Sequence, residues 1–218
     1  MDITNREKNQ ELENLYKKNE KEFLIEWESA FQQQPPCCLN LFGIVDEARY
    51  ADILFIGKET NGWGNEYYQK EDRFLPWLDR LSDKEDRARG MQIWYNVGRW
   101  AMYIQNPQMD KDELLTKKGA ALFGLKYIAF TNINKVRGLN QSGKEYEILK
   151  NSCIAKRTLC REIHILDPKV IVLCGIKKEY ISSMVGENVR IIEMPHPSAR
   201  MKKRDMLDIL ERQLRGGE

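Results

Sequence analysis

Apolar residues recur along the chain in two textures: short unbroken runs, and longer stretches in which apolar positions return at helical spacing. The runs ADILFIG (51–57), KYIAFTN (126–132), KVIVLCG (169–175) and VRIIEMP (189–195) predict four strands. ILFIG and VIVLCG lack the alternation of a half-exposed strand and suit the middle of a parallel sheet, where both faces are covered. Leu12, Leu15, Tyr16, Phe23, Trp27 and Phe31 predict an amphipathic helix over about 6–34, stopped by Pro35 and Pro36. Broad apolar faces predict further helices over 88–105, with Met91, Trp94, Val97 and Trp100, and over 145–166, with Ile148, Ile154, Leu159 and Ile163. Met201 to Leu214 predicts the last.

Strand and helix therefore alternate. That order implies an α/β fold, a three-layer α/β/α sandwich around a short, mainly parallel four-stranded sheet with right-handed crossovers. A length of 218 residues suits one domain better than two. The charged, Gly- and Pro-bearing stretch 62–86 follows the first strand and reads as an irregular insertion able to cover a ligand.

Charge adds little: 35 Lys and Arg against 33 Asp and Glu leave +2, so any basic surface for nucleic acid must be local. The opening MDITNREKNQELEN has no apolar core of a secretory signal, and no run approaches the ~20 apolar residues of a membrane span. Five cysteines, an odd number that includes the neighbours Cys37 and Cys38, suggest reduced thiols and a cytoplasmic protein. With two histidines and no C-x-x-C pair, no metal is expected.

Ligands of open parallel sheets bind beyond the carboxyl ends of the strands. There the chain carries Gly57-Lys58-Glu59-Thr60-Asn61-Gly62-Trp63-Gly64, then Thr131-Asn132-Ile133-Asn134-Lys135, then Pro195-His196-Pro197-Ser198-Ala199-Arg200. A carboxylate, an amide and an imidazole are thus brought toward one sheet edge.

In motif order and strand-end placement, residues 51–204 resemble the uracil-DNA glycosylase superfamily, which has a Gly-started acidic or amide loop after its first strand and a His-Pro-Ser turn after its last. The stretch FTNINKVRG is similar to the family's strand ending in a base-reading Asn; the amino-terminal helix is unmatched. The resemblance implies hydrolysis of the N-glycosidic bond of uracil or another deaminated or damaged base, flipped out of single- or double-stranded DNA, without a cofactor. It implies that Glu59 orients the attacking water and offsets the sugar cation, while His196 donates to the base oxygen that gains negative charge. Asn132 would read the base, with Gly57, Lys58 and Asn61 around it. Trp63, Tyr67 or Tyr68 would stack on it. Ser198, Arg200 and Lys202, followed by Lys203 and Arg204, and with Lys135 and Arg137 as a further rim, would hold phosphates.

The same residues have ordinary uses. Glu59 fits a helix cap or a surface ion pair, Asn132 an amide bonding loop backbone, and the charges beyond Arg200 a solvated helical face. Asn134 is the alternative reader if the register is shifted by two, and His164, inside a helical stretch, reads as structural. Relatives selective for uracil have Gln and Tyr where Lys58 and Asn61 stand, and the best-known relatives have Asp where Glu59 stands. Strict uracil selectivity is therefore not implied, and the alternative is a catalytically silent member that binds nucleic acid or a nucleobase. The cysteines do not reproduce the spacing of relatives with an iron–sulfur cluster. A general nucleotide-binding domain is the weakest reading, since neither G-x-x-x-x-G-K-[ST] nor G-x-G-x-x-G follows the first strand.

Overall fold

A computed structural model of the chain describes residues 3–32, 39, 42–58, 92–136, 147 and 149–216. Helix α1 spans Asn5–Phe31 and starts with a capping box, in which the Thr4 side chain accepts from the Glu7 N–H and the Glu7 carboxylate accepts from the Thr4 N–H. Leu12, Tyr16, Asn19, Phe23 and Trp27 form its buried stripe at helical spacing. Burial of side chains such as Leu12 and Phe23 contributes about 1.5–3 kcal/mol each.

The sheet has five strands in the order β1-β3-β2-β4-β5, with β1 Gly43–Ile44, β2 Ile53–Gly57, β3 Ile128–Asn132, β4 Val170–Cys174 and β5 Arg190–Met194. Strands β2 to β5 are parallel; β1 runs antiparallel to β3. All four strands expected from the apolar runs are present. The expectation of four was one short, because β1 has only two residues and exists through its pairing with Ala129 and Phe130. Every residue of β2 and β3 is buried, so side chains on both faces of the sheet centre are covered.

Helix α2 (Gln92–Gln105) is followed by two short helices, α3 (Lys111–Thr116) and α4 (Lys118–Phe123), that periodicity did not single out. Gly98 and Gly124 let α2 approach this connection: a β carbon on Gly98 would stand 1.7 Å from the Ala121 carbonyl oxygen. Helix α5 (Cys153–Leu166) begins later than 145 because Ser152 caps it, its hydroxyl accepting from Ala155 N–H at 3.1 Å. Helix α5 packs on α1, and α6 (Lys203–Leu214) lies against β5 and α2. No helix among the described residues is long and apolar enough to cross a membrane.

The sheet register decides where the loops emerge. Gly57 pairs with Asn132, Ile56 with Leu173 and Cys174 with Met194, so four parallel strands end on one edge. Ladder bonding continues past it: Ile133 N–H donates to the Gly57 carbonyl and Asn134 N–H to the Lys58 carbonyl, both at 2.9 Å.

Candidate functional site

Two glycines floor the carboxyl edge. A β carbon on Gly57 would stand 2.1 Å from Asn132 Oδ1, so the Asn132 side chain occupies the space above β2. Gly175, just beyond β4, has φ +73°, a conformation that other residues adopt only with strain. A β carbon there would meet His196 Cβ at 3.3 Å and Lys58 Cε at 3.4 Å. Asn132 thus leans over β2 and His196 over β4, and adjacent strands lie about 4.8 Å apart. Residues from β3 and from the loop after β5, at nonadjacent places in the sheet, are thereby brought together.

Asn132 is 3% exposed, yet its side-chain amide makes no hydrogen bond with any described residue. A donor and an acceptor left over at a sheet edge suit an incoming ligand. Asn134 is differently placed: its Oδ1 accepts from Val136 N–H at 3.0 Å, and its buried Nδ2 has no partner among the described residues. With its oxygen engaged, Asn134 keeps only a donor, whereas Asn132 keeps both a donor and an acceptor.

The His196 turn is built from its own neighbours. Ser198 N–H donates to His196 Nδ1 at 3.3 Å, Ser198 Oγ lies 2.7 Å from the same nitrogen, and Ala199 N–H donates to the His196 carbonyl. A backbone N–H can only donate, so Nδ1 accepts and the neutral ring carries its proton on Nε2. Burial lowers the imidazole pKa below 6.5, and the Lys58 charge lowers it further. The group is a neutral hydrogen-bond donor. Asn96 of α2 fixes the turn from behind, its Nδ2 donating to the Pro197 carbonyl at 2.7 Å.

Lys135, expected on a basic rim, is instead fully buried, and that expectation is corrected. Its ammonium donates to Glu162 at 2.7 Å, to Thr131 Oγ1 at 2.5 Å and to the Asn132 carbonyl. Tyr16 OH from α1 also donates to Glu162. Burial drives the Lys135 pKa down against the opposing pull of Glu162, and raises that of Tyr16. Desolvating both charges is costly, and three oxygen acceptors around one ammonium offset it. The cluster holds the Asn132 backbone and gives α1 a part in shaping the site.

Ser198 is exposed and turned to His196, while Arg200 and Lys202 are exposed beyond the turn. Lys58 is half-buried beside Gly175. Glu59, Asn61, Trp63, Tyr67, Tyr68 and Arg137 lie outside the described residues. His164 is exposed in the last turn of α5, where a basic side chain suits the helix dipole. A separate cavity of about 510 Å³, lined by Lys178, Ile191, Ile209 and Arg212, lies along the outer edge of β5 rather than at these loops.

Sequence reasoning missed Asn96, Gly175 and Glu162. Glu162 sits on the same buried stripe as Leu159, Ile163 and Leu166, and Asn96 among Trp94, Val97 and Trp100. A polar residue inside an apolar stripe was the available signal. Compared with known proteins, the chain matches no family model and no curated protein.

Proposed function

We propose that the chain is a single uracil-DNA glycosylase-like domain, a three-layer α/β/α sandwich, that hydrolyses the N-glycosidic bond of uracil or another deaminated or damaged base flipped out of DNA. What carries the reading is the pairing of the Asn132 amide, which has no hydrogen-bond partner among the described residues, with a neutral imidazole on adjacent glycine-floored strand ends. An amide offers one donor and one acceptor, matching the pairing edge of a pyrimidine or hypoxanthine.

In the reaction a water oxygen bonds to C1′ of the sugar, the C1′–N bond breaks, and its electron pair leaves with the base. The attacking water loses its proton to the Glu59 carboxylate, and negative charge gathers on the base oxygens until the released base takes a proton from solvent. His196 Nε2–H donates to that charge, and the ammonium of Lys58 nearby favours it further. Glu59 orients the water. No metal or cofactor enters the proposed reaction.

Release of free base from labelled oligonucleotides containing uracil, hypoxanthine, xanthine or a G·T mismatch tests the proposal. Release that is lost in Glu59→Gln and His196→Ala supports it. Binding without release from any substrate, at protein in excess of DNA, overturns catalysis and leaves a nucleobase-binding module.

A further inference from the structure

Asn96 lies on α2 behind the His196 turn, buried, with both ends of its amide engaged. Its Oδ1 accepts from Arg99 Nη1 at 3.1 Å and from Gln92 Nε2 at 3.2 Å. Its Nδ2 donates to the Pro197 carbonyl at 2.7 Å and lies 3.8 Å from Met206 Sδ on α6. A guanidinium has donors and no acceptor, so the end of the amide that faces Arg99 is the oxygen and the end that faces Pro197 is the nitrogen. The reverse setting would press oxygen against the Pro197 oxygen and N–H against the guanidinium.

Arg99 is itself anchored. Its Nε donates to the Leu114 carbonyl at 3.0 Å, one of the carbonyls in the last turn of α3 that have no partner within the helix, and its guanidinium lies over the Tyr95 ring, 5.7 Å from the centroid. On the far side of Asn96, the buried Pro197 carbonyl shares a peptide unit with the Ser198 N–H. The C=O and N–H of a planar trans peptide point in opposite directions, so holding the oxygen at Asn96 aims the hydrogen at His196 Nδ1, 3.3 Å from Ser198 N. The Ser198 hydroxyl, 2.7 Å from Nδ1, can donate or accept and so cannot choose the tautomer of the ring. The backbone N–H, a donor only, does choose it.

We infer that Asn96 and Arg99 are positioning residues for His196: Arg99 orients the Asn96 amide, Asn96 sets the plane of the Pro197–Ser198 peptide, and the N–H of that peptide keeps the imidazole proton on Nε2. The relay runs from a carbonyl of α3 through α2 to the turn after β5. Without the Asn96 donor, the buried Pro197 carbonyl loses its partner and the peptide plane is free to turn. Nδ1 then takes the proton in part of the population, with Ser198 Oγ accepting from it. A ring protonated on Nδ1 turns a lone pair, not an N–H, toward the base oxygen. That consequence for the base rests on the function proposed above; the relay itself does not.

Long-range nitrogen–proton correlation spectra of the full chain, recorded well above pH 6.5 where the ring is neutral and assigned with His164→Gln, report which nitrogen of His196 carries the proton. The unmodified chain is expected to carry it on Nε2 and Asn96→Asp to show both tautomers. Asn96→Asp is isosteric and still accepts from Arg99 and Gln92, so a merely structural Asn96 would tolerate it, but a carboxylate cannot donate to Pro197. Asn96→Ala removes the same donor without adding a charge and should give the same mixture. Arg99→Met leaves Oδ1 to Gln92 alone and should give a smaller fraction of Nδ1–H, whereas Ser198→Ala, which retains the N–H, should keep the proton on Nε2. Base release by Asn96→Asp is expected to fall on the order of a hundredfold in kcat with KM little changed. A proton on Nδ1 in the unmodified chain, or on Nε2 alone in Asn96→Asp or Asn96→Ala that melts cooperatively, overturns the relay; an unchanged spectrum in Arg99→Met removes Arg99 from it. Base release separates the two claims. Release by the unmodified chain with a tautomer that no variant moves sinks the relay alone, and a tautomer moved by Asn96→Asp with no release from the unmodified chain sinks the hydrolysis alone.

Discussion

Gly57 and Asn132 are register partners in the parallel sheet, and the Asn132 amide oxygen fills the place where a side chain on residue 57 would begin, 2.1 Å from an ideal β carbon. Gly57→Ala therefore has to displace the amide rather than the backbone. The expected outcome is a modest loss of stability, about 1–3 kcal/mol in a urea melt, with loss of base binding. Gly57→Ala/Asn132→Ala should regain stability while base binding stays lost. If Gly57→Ala binds base as the unmodified chain does, Asn132 is not the reader.

Lys135 and Glu162 form a fully buried ion pair. Lys135→Met or Glu162→Gln alone leaves a buried group without its partner and is expected to cost about 3–5 kcal/mol. Lys135→Met/Glu162→Gln should cost less than the sum of the two, because both charges leave together, although Thr131 and Tyr16 lose acceptors or donors. Urea midpoints of the three variants decide this. Additive losses would mean that the pair is not coupled.

The chain has two histidines, so His196 can be followed by NMR with His164→Gln as the assignment control. Its pKa is expected below 6.5, since burial and the Lys58 charge disfavour the imidazolium. Because the unfolded chain then binds more protons, His196 makes stability fall as pH drops from 6.5 through the folded-state pKa, and has no effect well above 6.5. Lys58→Gln should move the pKa upward, though burial still holds it under 6.5. A base-release rate that depends on neutral His196 should follow the same shift.

Gln213 closes the outer edge of β5, its side-chain oxygen accepting from Glu193 N–H at 2.8 Å and its nitrogen donating to the Glu193 carbonyl at 2.6 Å. The amide imitates a neighbouring strand for one residue. Gln213→Ala is expected to cost about 1–3 kcal/mol for two hydrogen bonds and to speed hydrogen exchange at Glu193. Exchange that does not change would show that the edge is protected by something else.

The sequence by itself determined the four long strands, their parallel character and most of the helix that opens the chain. Unbroken runs such as VIVLC and the Leu12, Tyr16, Phe23, Trp27 stripe pair badly with water in any arrangement, so local pattern was enough. It also put Asn132 and His196 at strand ends. Tertiary structure decided the rest. Two residues at 43–44 become a strand only because β3 lies beside them. Lys135 reads as a surface cation until Glu162, Thr131 and Tyr16 close around it from separate elements. Arg99 reads as one basic residue in a helix until the Leu114 carbonyl and Asn96 take its donors in the interior. A charge's partners lie across the fold rather than along the chain, and burial, which sets the energy of an ion, has no local signature in an apolar pattern.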